Sequence, residues 1–516
     1  MSADDTRPRA GRPATLSERL SAWAAVLELD DVPSRVASVG RSLVLSQLAA
    51  VRAGLGHPLG AAITRAFGPP MQDDPKQSAY VMSALSMSLD FDETFYAAHV
   101  GHGTVNVSLA YARALELDGR ALLTAIVAAT ECAARVGAAT TLGPFRGQSA
   151  AHPHVAGSAA ARLRAESADV DRWVDSLGIA MAMPPWMLRA AFLGSDAKVL
   201  TAATGVRMGL DACDAAAAGM RGRPEILEHP SGFLAAFGGE VPLADEITIG
   251  LGERWQADTI TFKLFPASTG IASTVECGMA LHKRLDGADV EEVVVESNLL
   301  TMRIDQHAQP FLEGADSPVS ALQYAVPYSL ATAILRGKLT GGDFAPPAVR
   351  DPARWELAGK VRIEHDMELT RTAVRATAPI GEALRRAGDR APQWVVAAGG
   401  DDAEGSASGL GEPSDHSFEQ ADKAIGARVR MRLSDGRELV EECIHPAGST
   451  GPDTRAHHPA LVRAKFLDAG GPPELADAVA VLDELSAREV AELVEAAFAG
   501  AQTTLPDSGI ASSSPM

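Results

Sequence analysis

The sequence predicts a mainly α protein, in which a large all-helical domain built from both chain ends is joined to a smaller α+β region. Three observations carry this expectation. Apolar residues recur at helical spacing through roughly the first 260 residues, with hardly a strand signal among them. Val-rich and alternating runs then occupy about 263–451, punctuated by turn residues. Helical spacing returns over 459–500, where Leu482, Leu485, Val490, Leu493 and Val494 recur at bundle intervals, so this segment is expected back on the N-terminal helices. A chain of 516 residues exceeds what one core serves, which makes two domains the starting expectation.

Taken in order, residues 1–14 are polar and Pro-rich and read as a disordered tail. The helical domain is expected over 15–262, completed by 452–501. Its first helix starts at Leu16 with Leu20, Trp23, Ala24 and Leu27 on one face, and 36–51 and 77–89 repeat the pattern. Then Leu89-Asp90-Phe91-Asp92-Glu93-Thr94 and Ala98-His99-Val100-Gly101-His102-Gly103-Thr104 crowd carboxylates, hydroxyls and imidazoles together. This stretch reads as a loop between a helix ending near Asp90 and another beginning at Thr104. Helices follow over 105–117, 121–137, 158–165, 170–183 and 202–218. In the α+β region, 263–451, strands are expected near 259–265, over 290–297 and at 360–364, with helices over 272–284 and 319–335. A hairpin joins 428–433 to 437–443 through Ser434-Asp435-Gly436. Gly, Ser, Asp and Glu accumulate between 381 and 425, which reads as a flexible acidic insertion, and 502–516 reads as a second disordered tail.

A formal charge of −20 argues against a nucleic-acid partner and an anionic membrane surface. No apolar run reaches membrane-spanning length and the N-terminus lacks an apolar signal core, so a cytoplasmic location is expected. The four cysteines form no close pair, which leaves no CxxC motif. No HExxH, GxxxxGK[ST] or GxSxG occurs, and metal is disfavoured. Of 13 histidines, His57, His282, His416, His457 and His458 read as solvated surface. His99 and His102 stand out because Asp90, Asp92 and Glu93 lie just upstream. His152 and His154 flank a Pro at a helix start, an anion-friendly position. What remains is acid–base chemistry by carboxylate, imidazole and lysine.

These motifs, taken in sequence, resemble the MmgE/PrpD superfamily over about 35–470. Leu89 to Thr94 is similar to its LDF(D/N)DT signature and Gly101-His102 to its G-H-P-S segment. Lys198, the segment 219–233, Phe262-Lys263-Leu264-Phe265-Pro266, Gln323-Tyr324-Ala325-Val326-Pro327-Tyr328 and His445-Pro446-Ala447-Gly448 extend the match. The resemblance implies a helical domain with an α+β lid domain, a homodimer, and a site in the crevice that uses no metal or organic cofactor. It also implies that Asp90, Thr94, His102, Lys198, Lys263 and Tyr328 line the site, with one of His152 and His154. The lysines would neutralise the carboxylates of a small-molecule carboxylic acid substrate, His102 would shuttle protons with Asp90 orienting it, and Thr94 and Tyr328 would donate hydrogen bonds. Departures at Met87, Gly103 and Phe265 point to a less polar pocket. The expected activity is a cofactor-independent lyase, a dehydratase or decarboxylase. An isomerase or epimerase using the same residues, or a non-catalytic binding paralogue, stands beside it.

Overall fold

A computed structural model of the chain describes residues 12–501, except 97, 148, 240 and 398–409. The fold is mainly α. The bundle contains α1 (Ser34–Leu55), α2 (Pro75–Met87), α3 (Gly101–Ala114), α4 (Gly119–Ala139), α5 (His152–Ala165) and α6 (Lys198–Ala217). Asp74 and Asp118 cap α2 and α4 by accepting from backbone N–H groups of the first turn. Helix α4 is the one described helix long and apolar enough to cross a membrane, and 94% of its apolar window is buried inside the fold. It is a core helix. Small residues let the bundle close tightly. A Cβ on Gly209 of α6 would lie 2.1 Å from Ser158 Oγ and 2.4 Å from the Val155 carbonyl oxygen of α5.

Both chain ends feed this core. Leu20 and Ala24 near the start share one buried cluster with Val462, Phe466, Val490 and Leu493 near the end. A second buried cluster joins Val293, Val295, Val429 and Met431 to Val275, Leu330 and Ile334. Its sheet is formed by β4 (Val290–Ser297), β5 (Val361–His365), β6 (Ala427–Leu433) and β7 (Glu438–Cys443), after three shorter strands described next. The order is β5-β4-β6-β7, with β4 parallel to β5 and the other pairs antiparallel. Val293 and Val295 are buried opposite Met431 and Val429, while helices over Ala272–His282 and Val326–Arg336 supply the apolar cover.

The polar stretch is not a loop. It forms β1 (Glu93–Phe95) and β2 (Ala98–His99), which pair with β3 (Ile260–Phe262) in the order β2-β1-β3. Phe95, Ile260 and Phe262 are buried and anchor this small sheet in the helical core. Thr94 pairs with His99 on one side and Thr261 on the other. Helix α3 then starts at Gly101, not at Thr104. A Cβ at Gly101 would stand 1.7 Å from Glu93 Oε1, so only glycine lets the helix begin against that carboxyl.

The acidic insertion also differs from expectation. It is helical over Gly381–Ala387 and Ala391–Ala397, and Ala383, Leu384, Ala387 and Ala391 pack on Leu142, Val241 and Leu243. Those small apolar residues sit at helical spacing inside an otherwise polar composition, whose most extreme part, 398–409, lies outside the described residues. His57 and His458 are buried rather than solvated: His57 caps the helix Pro58–Phe67 through Nδ1, and His458 Nδ1 lies 2.7 Å from Ser42 Oγ.

The close approach of α5 and α6 is testable. Gly209→Ala forces a methyl group against backbone and is expected to cost about 1–3 kcal/mol, read as a fall of a few degrees in melting temperature. An unchanged melting curve would show that the two helices separate freely.

Candidate active site

Asp90 follows the end of α2 with a backbone φ of 51°, a left-handed conformation that a side chain adopts at a cost. Its carboxylate is fully buried and accepts from two amines. Lys198 Nζ, at the start of α6, donates to Oδ1 at 2.8 Å. Lys263 Nζ, just beyond β3, donates to Oδ2 at 2.8 Å and to Asp92 Oδ1 at 2.9 Å. Lys198 also donates to Gln323 Oε1 at 2.7 Å, and the Gln323 amide donates to the Ser88 carbonyl at 3.0 Å. Burial alone would raise both carboxyls, but Lys198 and Lys263 hold Asp90 below the usual carboxylate range, and His99 and Lys263 do the same for Asp92.

Three imidazoles stand beside this cluster. His99 Nδ1 lies 2.5 Å from Asp92 Oδ2. His102 Nε2 lies 3.1 Å from the same oxygen without hydrogen-bond alignment, while its Nδ1 pairs with Ser86 Oγ at 2.7 Å. The His102 ring is 5.1 Å from His154. Burial, only partly opposed by Asp92, pushes His102 down, and burial together with His102 pushes His154 well down. Both inner rings are therefore neutral at ordinary pH. His99 is the half-buried member of the line.

His99 opens on a cavity of about 1030 Å³ between the two cores, whose walls include Phe145, Phe192, Asn298, Tyr324, Trp394 and Lys423. Lys423 is buried and its Nζ donates to Thr94 Oγ1 at 3.1 Å. No carboxylate among the described residues pairs with it. Burial and then the neighbouring Lys263 charge push its amine down to about 7. The Tyr324 ring lies 4.8 Å from Lys198 Nζ. Burial and the Asp90 and Asp92 charges push its hydroxyl well up, so it remains a protonated donor.

Of the expected residues, Asp90, Thr94, His102, Lys198 and Lys263 gather here, and His154 joins them. His152 does not: its Nε2 lies 2.8 Å from the Pro185 carbonyl, and its ring packs on Phe233 and Phe237. Tyr328 is elsewhere. It sits in the second core beside Phe344 and Trp355 and donates to the Asp343 carbonyl at 2.5 Å. Helical turns explain the substitution, because Tyr324 precedes the Val326–Arg336 helix on the crevice side whereas Tyr328 is within it, facing the core. His102 does not line the cavity, because α3 begins at Gly101 and turns it inward, while β2 carries His99 outward. Asp92, not Asp90, is the carboxylate beside the imidazoles. Lys423 was invisible in an acidic, polar segment; its only signal is a lone cation among small apolar neighbours in Ala421-Asp422-Lys423-Ala424-Ile425.

Asp92, His99 and His102 offer ligand atoms within 4.8 Å of one another, a donor set suited to a metal ion. The charges oppose one. Lys263 already occupies Asp92 Oδ1, and Lys198 and Lys263 balance the two carboxylates, so a divalent ion would meet two ammonium groups.

Residues 18–245 match the MmgE/PrpD N-terminal domain and residues 265–404 the MmgE/PrpD C-terminal domain. The chain is 26% identical over 338 residues to the 2-methylcitrate dehydratases of Cupriavidus necator and Escherichia coli. Those alignments cover 60% and 59% of this chain and 66% of each relative. It is 24% identical over 382 residues to the cis-aconitate decarboxylase of Aspergillus terreus, covering 67% of this chain and 77% of that protein.

Lys423 also predicts a pH dependence. Its amine loses its proton near 7 when folded but near the ordinary lysine range when unfolded. Across that window the unfolded chain holds the extra proton, so this group makes stability rise with pH. Lys423→Met is expected to remove that part of the slope in denaturation midpoints measured from neutral to alkaline pH. An identical slope in wild type and variant would refute the assignment.

Proposed function

Because the chain belongs to the MmgE/PrpD family, we propose that it is a lyase, a dehydratase or decarboxylase, acting on a carboxylic acid without metal or organic cofactor. The observation that carries this reading is the His99–Asp92 pair facing a cavity that Lys423 and Tyr324 also line. Asp92 stabilises the imidazolium that His99 becomes on taking a proton, as a buried carboxylate behind an imidazole does. The proton comes from the carbon next to the substrate carboxylate. The resulting enolate-like charge is then met by the Lys423 ammonium and the Tyr324 hydroxyl, two donors held in a site with little water. Loss of hydroxide, protonated as it leaves, gives dehydration; loss of carbon dioxide followed by return of a proton gives decarboxylation.

His102 and His154 take no direct part in this scheme. They pack behind Asp92 and His99 and keep that side of the carboxylate dry. Lys198 and Lys263 hold Asp90 and Asp92 ionised rather than receiving substrate.

The relatives make 2-methylcitrate and cis-aconitate the first acids to supply, in deuterated water with products followed by NMR. Net loss of water or carbon dioxide is expected; deuterium entry without net loss would instead mark an isomerase or epimerase. His99→Asn should lower kcat by about 10²–10⁴ with the fold retained. Full turnover in that variant would end the reading. Dialysis against EDTA is expected to leave the rate unchanged, and loss restored by a divalent metal would overturn the metal-free scheme.

A further inference from the structure

The cavity is larger and more apolar than a small tricarboxylate needs. At about 1030 Å³ it stands at the upper end of ordinary ligand pockets, roughly 300–1,000 Å³. Its polar groups are unevenly placed. Lys423, His99 and Tyr324 gather at the inner end, beside the Asp90–Asp92 cluster. Lys198 and Lys263 are committed to those carboxylates, so the inner end offers one ammonium that no carboxylate among the described residues neutralises.

From Tyr324 an aromatic wall runs outward. Phe192 lies 6.1 Å from the Tyr324 ring and Phe145 lies 5.7 Å from Phe192. Phe145 is 39% exposed and marks the mouth. Ile304, Ile380 and Trp394 line the same space. Arginines border the cavity too, but Arg189 is exposed and Arg146 sits over the Trp186 ring at 4.4 Å. A bundle that needed this volume only for closure would have filled it with side chains.

We infer that the site takes a carboxylic acid bearing a long or aromatic apolar arm, with the acid end at Lys423 and His99 and the arm along Tyr324, Phe192 and Phe145. The inference rests on reading this cavity as the reaction site, and it narrows the substrate class there. Desolvating the arm against aromatic faces supplies affinity that does not depend on the chemistry at the acid end.

The test is calorimetric titration of the full chain with 2-alkylsuccinates bearing methyl, butyl and octyl groups. Affinity is expected to rise about threefold or more for each added methylene that reaches the wall. In Phe145→Ala, a change at the exposed mouth, the octyl-to-methyl affinity ratio is expected to fall toward one. Lys423→Met should weaken every member of the series by a similar factor. Flat or falling affinity from methyl to octyl, or no binding of any member, would overturn the inference, as would an unchanged ratio in Phe145→Ala. Turnover is scored separately. A gain with arm length and no conversion of any acid would remove the lyase reading and keep this one; conversion with flat affinities would do the reverse.

Discussion

The buried Asp90 carboxylate constrains everything around it. A lone carboxylate removed from water costs several kcal/mol, so burying this one requires burying cations with it. The two lysines come from opposite sides of the fold: Lys198 from the start of α6 and Lys263 from beyond β3, where the chain passes toward the second core. Gln323, from the second core's own helices, completes the Lys198 shell and reaches back to Ser88. One carboxylate thus ties together the end of α2, the start of α6, the small sheet and the α+β region. The left-handed backbone at Asp90, worth of order 1–3 kcal/mol of strain, persists because so many partners determine it.

A second, similar arrangement lies beside it. Glu93 accepts from Gln47 and Ser46, and Lys465, from a helix near the chain's other end, donates to Ser46 and the Phe91 carbonyl. Burial and the Asp92 charge push the Glu93 carboxyl up to about 7, and burial pushes the Lys465 amine down to about 7. Charge is therefore shared out in depth: firmly ionised at Asp90 and Asp92, marginal one step away. The C-terminal helix is fastened to the site's floor by hydrogen bonds as well as by its apolar face.

Much of this was legible in the sequence, and the divisions are physical. Helices with strong 3.6-residue periodicity were clear, and so was the Val290–Ser297 strand, whose valines alternate, with its hairpin partner marked by Asp435-Gly436. The polar stretch was recognised as special, but its two- and three-residue strands carry no periodicity; they exist because β3, far along the chain, offers them a partner. The same limit explains His99 and His102. Both residues are equally conspicuous in sequence, and only a helix start at Gly101 decides which ring turns inward. Tyr324 and Tyr328 are separated by one helical turn and part company for a similar reason. Lys423 could not be found at all from local pattern, since what makes it reactive is the company of Lys263 and the distance of any carboxylate.

That position gives Lys423 a particular value in the proposed reaction. An amine poised near neutrality, with only the Thr94 hydroxyl as partner, is one whose charge an arriving anion can set. A substrate carboxylate alongside favours the protonated form, so binding draws a proton onto Lys423 at pH values where the empty site would hold it neutral. The same ammonium then faces the charge that develops when His99 removes a proton. Were Lys423 paired with Asp90 as Lys198 is, its charge would be spent before substrate arrived. The two satisfied lysines thus make the unsatisfied one useful: they keep Asp90 and Asp92 ionised and out of its reach, and leave one cation answerable to the ligand alone.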